Sequence, residues 1–423
     1  MKKNLKVGFV GLTHLGLTYL AASSEKGFKV IGIDFNQNKI NQLKKFDIEY
    51  KEPDLQKTIF KNKRNILFSS NLKNLMDCNI VFISQDISTN DKGKGDFKSL
   101  KKLINSTFKF LNKKSVLVIL SQVQPGFTRL INFDHTRLYY QVETLIFGNA
   151  LERALTPERI IIGCESSESK INRLLLNYLD NYKCPIIRMK YESAELTKIS
   201  INLLLASSIT TTNMLAQACE KVSADWYEII PALQLDQRIG RKAYIRPGLG
   251  ISGGNVERDI GSIEKILKKD RRPLSIIKVF QRNSAYMKSW VYRILEKEKI
   301  LSQKNKYSIG ILGLAYKENT NSVKNSPTLN LLKKLKNNKI TIYDPVAKLE
   351  KKIKNCNQIN NINFLLKISN VIIVMTPWNK FKKIIKNLKK KKKKNIILID
   401  PYRIININIV KNKYIKYFTI GKK

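Results

Sequence analysis

Short apolar runs alternate with segments of helical spacing from the start of the chain. Val7–Gly11, Lys29–Asp34, Ile66–Ser69, Ile80–Ser84, Ser115–Ser121 and Arg159–Gly163 are dense in Val, Ile, Leu and Phe and predict strands. Between them apolar residues recur at i, i+3 and i+4, the spacing of one helix face. This alternation predicts βαβ units and a mainly parallel, doubly wound sheet. Strands apolar along their whole length fit burial on both faces.

The pattern changes after Tyr191. From Glu192 to about Lys221 the chain has neither Pro nor Gly and keeps helical apolar spacing. That predicts a helix of roughly 45 Å at 1.5 Å per residue, suited to a connector or a dimer spine. More helix is expected to about Lys299, interrupted by a Gly/Pro-rich loop at Pro247–Gly254. A second βαβ region begins near Tyr307. It predicts strand Ser308–Leu314, helix Thr328–Asn337 and strands Lys339–Tyr343, Val371–Met375 and Asn395–Asp400, the last closing the region. The expected architecture is α/β: two Rossmann-like doubly wound domains, 1–188 and 301–423, joined by a long helix and a helical dimerisation region over 189–300.

Composition narrows this picture without changing it. The chain has 423 residues, of which 43% are hydrophobic, enough for real cores. No uninterrupted apolar run approaches the roughly 18 residues of a membrane span, and no signal-peptide pattern follows Met1. The expectation is a cytoplasmic protein without a membrane segment. Five scattered cysteines and two histidines exclude a disulfide framework and a structural zinc site. The formal charge is +45. Nucleic-acid binding is one reading of such a charge. The lysines, however, spread over every predicted exposed face, and the Lys389–Lys394 run reads as a solvated loop or helix end. The expectation is therefore no nucleic-acid partner, and a positive field that attracts small anionic ligands.

Gly8-Phe-Val-Gly11-Leu-Thr-His-Leu-Gly16 follows the first predicted strand and opens a helix. A dinucleotide turn uses glycine for its tight bend and for close backbone approach to a pyrophosphate, with helix N–H groups facing the anion. Gly11 and Gly16 hold the first and third positions; Thr13 replaces the second glycine. Asp34 ends the next strand, where an acid meets the adenosine ribose and favours NAD over NADP. His14 is expected to shape the turn. On the long helix, Glu195, Lys198 and Asn202 share one face. A lysine beside an asparagine in a cleft can stabilise a developing alkoxide or orient a water, although spacing alone fits a solvated charged face equally well.

These motifs stand in an order that resembles the UDP-glucose/GDP-mannose dehydrogenase family. After the Gly loop come Glu52-Pro-Asp-Leu55, Ser121-Gln-Val-Gln-Pro125-Gly126-Phe-Thr128-Arg129, Thr156-Pro-Glu-Arg-Ile160, and Ala194-Glu-Leu-Thr-Lys198 with Asn202. Asp236-Gln-Arg238-Ile-Gly240, Leu312-Gly-Leu-Ala-Tyr-Lys317 with Thr320 and Ser326-Pro327, Tyr343-Asp-Pro345 and Thr376-Pro-Trp378-Asn-Lys-Phe381 continue the series. The resemblance implies an NAD domain, a helical dimer core and a C-terminal nucleotide-binding domain. It also implies a UDP- or GDP-hexose substrate oxidised at its C6 alcohol in two NAD-dependent steps by a homodimer. Carried over by position, it implies cofactor contacts from Gly11, Thr13, His14, Leu15, Gly16, Asp34, Lys39, Ser121, Arg258 and Lys324. Substrate contacts are implied for Thr144, Leu145, Arg238, Pro247, Gly248, Gly253, Lys317 and Arg403.

The implied catalytic positions are Glu143, Lys198, Asn202, Asn255 and Asp259. Glu143 matches a glutamate that handles protons in the family, and its apolar neighbours suit a raised pKa. Glu195 reads as structural. The loop Pro247–Asp259 keeps the family's glycines but carries Asn255 where the family has its nucleophilic cysteine, and no cysteine lies between Cys219 and Cys356. The family's second oxidation needs a thiolate to form a thiohemiacetal; an amide hydrogen-bonds and does no more. Two cofactor motifs also depart: Val-Pro-Thr-Pro is Gln85-Asp86-Ile87-Ser88 here, and Thr320-Asn-Ser-Val-Lys324 keeps a cation but loses acids. A catalytically inactive nucleotide-sugar or NAD-binding homologue is the alternative reading.

Overall fold

The structure, a computed structural model, describes residues 5–87, 97–268, 270, 272–302, 307–335, 338–383, 395–406 and 414–423. Ser88, Asn337 and the Lys389–Lys394 run lie outside them. The chain divides into two compact units, Met1–Ile201 and Asn202–Lys423. The division falls inside the long helix.

The first unit is built on an eight-stranded sheet. Its strands are β1 (Lys6–Val10), β2 (Lys29–Ile33), β3 (Ile66–Ser69), β4 (Ile80–Ile83), β5 (Val116–Ile119), β6 (Leu138–Gln141), β7 (Ile160–Cys164) and β8 (Ile186–Lys190). The order is β3-β2-β1-β4-β5-β6-β7-β8, parallel except for β6 against β7. Central strands β4 and β5 are buried at every position, as their unbroken Val/Ile/Leu/Phe runs require. The first helix, His14–Glu25, buries every residue from His14 to Ser24. Its small and apolar side chains leave no polar face, so it packs on all sides.

Strands β6 and β8 lack clear sequence signals. The former is Leu-Tyr-Tyr-Gln, and the latter sits at the sheet edge with Arg188 and Lys190 exposed. Short strands of mixed polarity look like loop until their neighbours pair with them.

The second unit carries a six-stranded, all-parallel sheet: β9 (Ile309–Leu312), β10 (Ile340–Tyr343), β11 (Cys356–Gln358), β12 (Val371–Val374), β13 (Ile396–Ile399) and β14 (Ile415–Phe418). Its order, β11-β10-β9-β12-β13-β14, is that of a dinucleotide-binding sheet. The sheet does not end at Asp400 as the apolar pattern suggested; β14 adds an edge strand. The helical residues Trp226, Ile230, Trp290 and Leu295 share one buried cluster with β9, β12 and β13, so helical core and sheet fold as one body.

The long helix runs Tyr191–Val222, 32 residues. By length and composition it is long and apolar enough to cross a membrane, the one such helix among the described residues. Reading uninterrupted runs missed it, because Ser, Thr and Asn break its apolar character without making it charged. Its buried polar side chains Glu195, Lys198 and Asn202 each meet a protein partner, as a helix in a folded core requires.

Candidate active site

In the first unit the chain turns sharply at Gly11, with φ of 92°, and the first helix starts at His14. A Cβ on Gly11 would lie 2.7 Å from Gln85 Cβ, and one on Gly16 would lie 2.2 Å from the Gly11 carbonyl oxygen. Both glycines are therefore demanded by close approach. Asp34 follows β2, and its Oδ2 accepts the Leu12 N–H at 3.1 Å while Lys39 Nζ stands 3.2 Å away. Gly11, Thr13, Asp34, Asn36, Lys39 and Gln85 line one cleft of about 360 Å³. Ser121 is buried and donates to the carbonyls of Ile83 and Gln85, tying β5 to the loop after β4.

His14 is no turn residue. It is the first residue of the helix, buried, with Nε2 3.0 Å from Glu52 Oε2 and its ring stacked on Phe147 at 4.1 Å. Glu52 also accepts the N–H groups of Gly148 and Ala150 at 2.9 and 2.7 Å. Burial pushes the Glu52 carboxyl up, but these donors outweigh it and hold it below the ordinary value. Glu52 thereby anchors the segment that carries Glu143, Thr144 and Leu145.

Glu143 is buried but not left among apolar groups alone, as its sequence neighbours suggested. Its Oε1 lies 2.9 Å from Lys198 Nζ, and its Oε2 accepts the Leu145 N–H at 2.9 Å. The Thr144 carbonyl accepts from Arg153 at 2.8 Å. Lys198 itself is buried on the long helix. One turn earlier, Glu195 accepts the N–H groups of Gly126 and Thr128 at 2.6 and 2.8 Å and so fixes the Pro125–Thr128 turn.

In the second unit, Asn202 Nδ2 donates to Asp259 Oδ2 at 2.5 Å, and both residues are buried. Arg258 Nε stands 3.5 Å from Asp259 Oδ1. These two sit in the first turns of a helix spanning Asn255–Ile266, whose N-cap is Gly254. Asn255 is its first residue and is exposed. The preceding loop is held from three sides. The Gly248 N–H donates to Asn213 Oδ1 at 2.9 Å, and Tyr402 packs against Gly248. Ser284 Oγ accepts the Ile251 N–H at 2.9 Å. A Cβ on Gly250, where φ is 77°, would lie 2.6 Å from the Ser284 carbonyl oxygen, so glycine is required there. Pro247 is buried.

The turn after β9 reaches the same loop. The Tyr316 ring lies over Gly253, the Lys324 side chain runs beside Gly254, and Asn325 Nδ2 donates to the Gly253 carbonyl at 3.0 Å. Lys317 is half-buried with Nζ 5.8 Å from the Tyr316 ring. Gly253, Asn255, Arg258, Asp259 and Lys324 thus gather around one loop.

Two predicted substrate cations are placed elsewhere. The Arg238 side chain is 88% exposed and bonds bidentately to Asp236. Arg403 pairs with Asp225 and lies 4.5 Å over the Tyr227 ring. Burial pushes the Asp225 carboxyl up, but Arg403, the Tyr227 N–H and Lys422 overcome this and leave it lowered. The anchors Asn213, Ser284 and Tyr402 are single residues that no sequence pattern marks as partners of this loop.

Two doubly wound, mainly parallel sheets with Gly turns and acids at the switch points define a protein of the double-Rossmann, NAD-binding class. Three family models match in succession: the NAD binding, central and UDP binding domains of the UDP-glucose/GDP-mannose dehydrogenase family, over residues 5–179, 192–284 and 310–407. The chain belongs to that family. It is similar to UDP-glucose 6-dehydrogenase TuaD of Bacillus subtilis (strain 168), 26% identical over 99% of this chain and 93% of the relative. The UDP-glucose 6-dehydrogenase of Rickettsia bellii (strain RML369-C) is 28% identical over 99% of this chain and all of its own length. In fold it is similar to a UDP-glucose dehydrogenase from Pyrobaculum islandicum, with a TM-score of 0.83, 22% identity and coverage of 99% and 98% of the two chains. A UDP-D-ManNAc dehydrogenase from Pyrococcus horikoshii gives 0.82 at 20% identity, covering 99% of each.

The first sheet fits the cofactor. The Gly11 turn leads straight into a helix N-terminus, and Asp34 lines a cleft wide enough for an adenosine half.

Proposed function

We propose that this chain oxidises the C6 alcohol of a UDP- or GDP-hexose with NAD and stops after one hydride, leaving the aldehyde. The observation that carries the oxidation is the buried ion pair of Lys198 with Glu143. A buried ammonium is costly unless it has work or a partner, and this one sits at a family catalytic position. NAD, held by the Gly11 turn and Asp34, would supply the acceptor for the C6 hydride. The alcohol oxygen must lose its proton as that C–H bond breaks. Lys198 stabilises the oxygen as charge develops on it. Asp259, oriented by Asn202 and Arg258, receives the proton.

Asn255 begins its helix at the position of the family's cysteine. Its amide does not attack an aldehyde, so no thiohemiacetal forms and the covalent route to a second hydride is absent; oxidation of the aldehyde's hydrate is the route the test must exclude. In this reading Gly11, Thr13, Leu15, Gly16, Asp34, Lys39 and Ser121 serve the cofactor, with His14 positioning the loop. Lys324 is read as a further cofactor cation. Thr144, Leu145, Pro247, Gly248, Gly253 and Lys317 serve the sugar nucleotide, and Arg238 and Arg403 join it only after rearranging.

The reading keeps three working segments, 1–188, 189–300 and 301–423, in a cytoplasmic homodimer. The exposed apolar side chains Leu204, Met214, Val222, Ile276 and Val279 of the second unit support self-association. The test is NADH formation with UDP-glucose, GDP-mannose and UDP-N-acetylhexosamines. Turnover is expected with at least one. Lys198→Met should lower it about a thousandfold with NAD affinity retained. No turnover across the panel, with ligand bound, contradicts the oxidation.

A further inference from the structure

The start of the first helix is already engaged by the chain's own carboxylate. Asp86 lies just beyond β4, and its Oδ2 accepts the Leu15 N–H at 3.2 Å. Its backbone N–H donates to Thr13 Oγ1 at 2.9 Å, and that hydroxyl donates to the Ser84 carbonyl at 3.2 Å. Thr13 and Asp86 therefore form one closed unit: the hydroxyl anchors the loop, and the loop delivers a carboxylate to the helix N-terminus. In the family pattern these two positions are glycine and proline, which supply neither hydroxyl nor carboxylate. Here both depart, and they depart as bonded partners.

A helix N-terminus stabilises negative charge through its free N–H groups and the positive end of its dipole. The first turn of this helix has no acidic residue of its own, and Thr13 makes no side-chain cap. Asp86 supplies the missing anion from another strand's loop. The same N–H groups are where a dinucleotide's pyrophosphate belongs. Two anionic groups do not share one small set of donors without mutual repulsion.

We propose that Asp86, held by Thr13, is an internal competitor for the cofactor's pyrophosphate and sets a low NAD affinity. This rests on the reading of the first sheet as an NAD site. The carboxylate satisfies the helix end when the site is empty and must leave it when a dinucleotide enters. Adenosine meets Asp34 and the cleft but lacks the pyrophosphate, so it does not sense Asp86.

Calorimetric titration of the full chain with NAD and with adenosine tests this. Asp86→Asn removes the charge and keeps the side chain's shape. It should tighten NAD binding by about tenfold and leave adenosine binding unchanged. Thr13→Gly removes the anchor and should give a smaller gain in the same direction, which decides the matter if Asp86→Asn does not fold. Equal or weaker NAD binding in the variants, with the unaltered chain binding NAD, overturns the role of Asp86 alone. Equal tightening of NAD and adenosine also overturns it, because the effect then lies outside the pyrophosphate. Binding of neither ligand by any form overturns the NAD reading itself. Binding of NAD by Asp86→Asn and not by the unaltered chain supports the proposal in its strongest form.

Discussion

The two sheets make the same turn and use it differently. After β1 and after β9 the chain bends through a glycine of positive φ, Gly11 at 92° and Gly313 at 105°. After the neighbouring strand comes an aspartate, Asp34 or Asp344, whose carboxylate accepts N–H groups from that turn. Asp344 is saturated. It accepts from Leu314, Ala315, Val346 and Ala347 at 2.7 to 3.0 Å, with Trp378 Nε1 at 3.4 Å, and is 8% exposed. Above Gly313 a Cβ would lie 2.4 Å from Thr376 Oγ1, so protein fills the approach. Asp34 has fewer bonds and lines an open cleft. At the first turn a helix starts at once; at the second, helix Pro327–Lys334 starts only after a long excursion that reaches the Gly253 loop. A shared turn thus holds an acid that lines an open cleft in one sheet and a structural acid in the other. What separates them is whether the carboxylate's bonds are already made.

Removing each acid breaks that comparison in a different observable. Asp344→Ala strands three buried N–H groups and one half-buried one, and should cost on the order of 4 kcal/mol in denaturant unfolding. A loss under about 1 kcal/mol would remove the distinction.

A smaller effect belongs to Asp400, after β13. Burial pushes its carboxyl up to about 6, against bonds from Ile405 N–H and Tyr417. Its folded pKa lies above its unfolded one. The stabilisation is therefore full below about 4, falls as pH rises through 6, and is gone above. Asp400→Asn should flatten that slope and raise stability at pH 8 by up to about 3 kcal/mol. Glu52 in the first unit has the opposite sign. Its carboxyl is held below 4.5, so its contribution is present above that pH and fades as pH falls through its lowered folded value. Glu52→Gln should remove only that acid-side loss, seen in unfolding curves taken between pH 5 and 3.

Asp34→Ala should be mildest in stability and visible in binding. About tenfold weaker NAD affinity, worth about 1.4 kcal/mol, is expected with little change in unfolding midpoint.

Much of this was legible in the chain. The Val/Ile runs of β1, β4, β5 and β12 announce buried parallel strands, and Gly11 with Asp34 marks the first switch point without any structure. Edge strands β8, β11 and β14 were not legible, because a strand buried on one side only carries a weak apolar signal. Nor were the partners. Lys198 reads as a cation on a helix face until Glu143, from another element, is seen beside it. His14 reads as a turn residue until Glu52 and Phe147 close around its ring. Asp86 reads as a departure from a motif, and only the fold shows its carboxylate on Leu15. Spacing along one element is local; pairing between elements is set by topology.

The central claim is the proposed one hydride per sugar, on the reading that Asn255 stands where the family's thiol takes the second. Exhaustive oxidation of a limiting amount of the accepted nucleotide sugar, with NADH counted against sugar consumed, tests it directly. The account predicts one NADH per sugar and an aldehyde that an amine or hydrazine probe traps. Two NADH per sugar, with a uronate as the product, would contradict it.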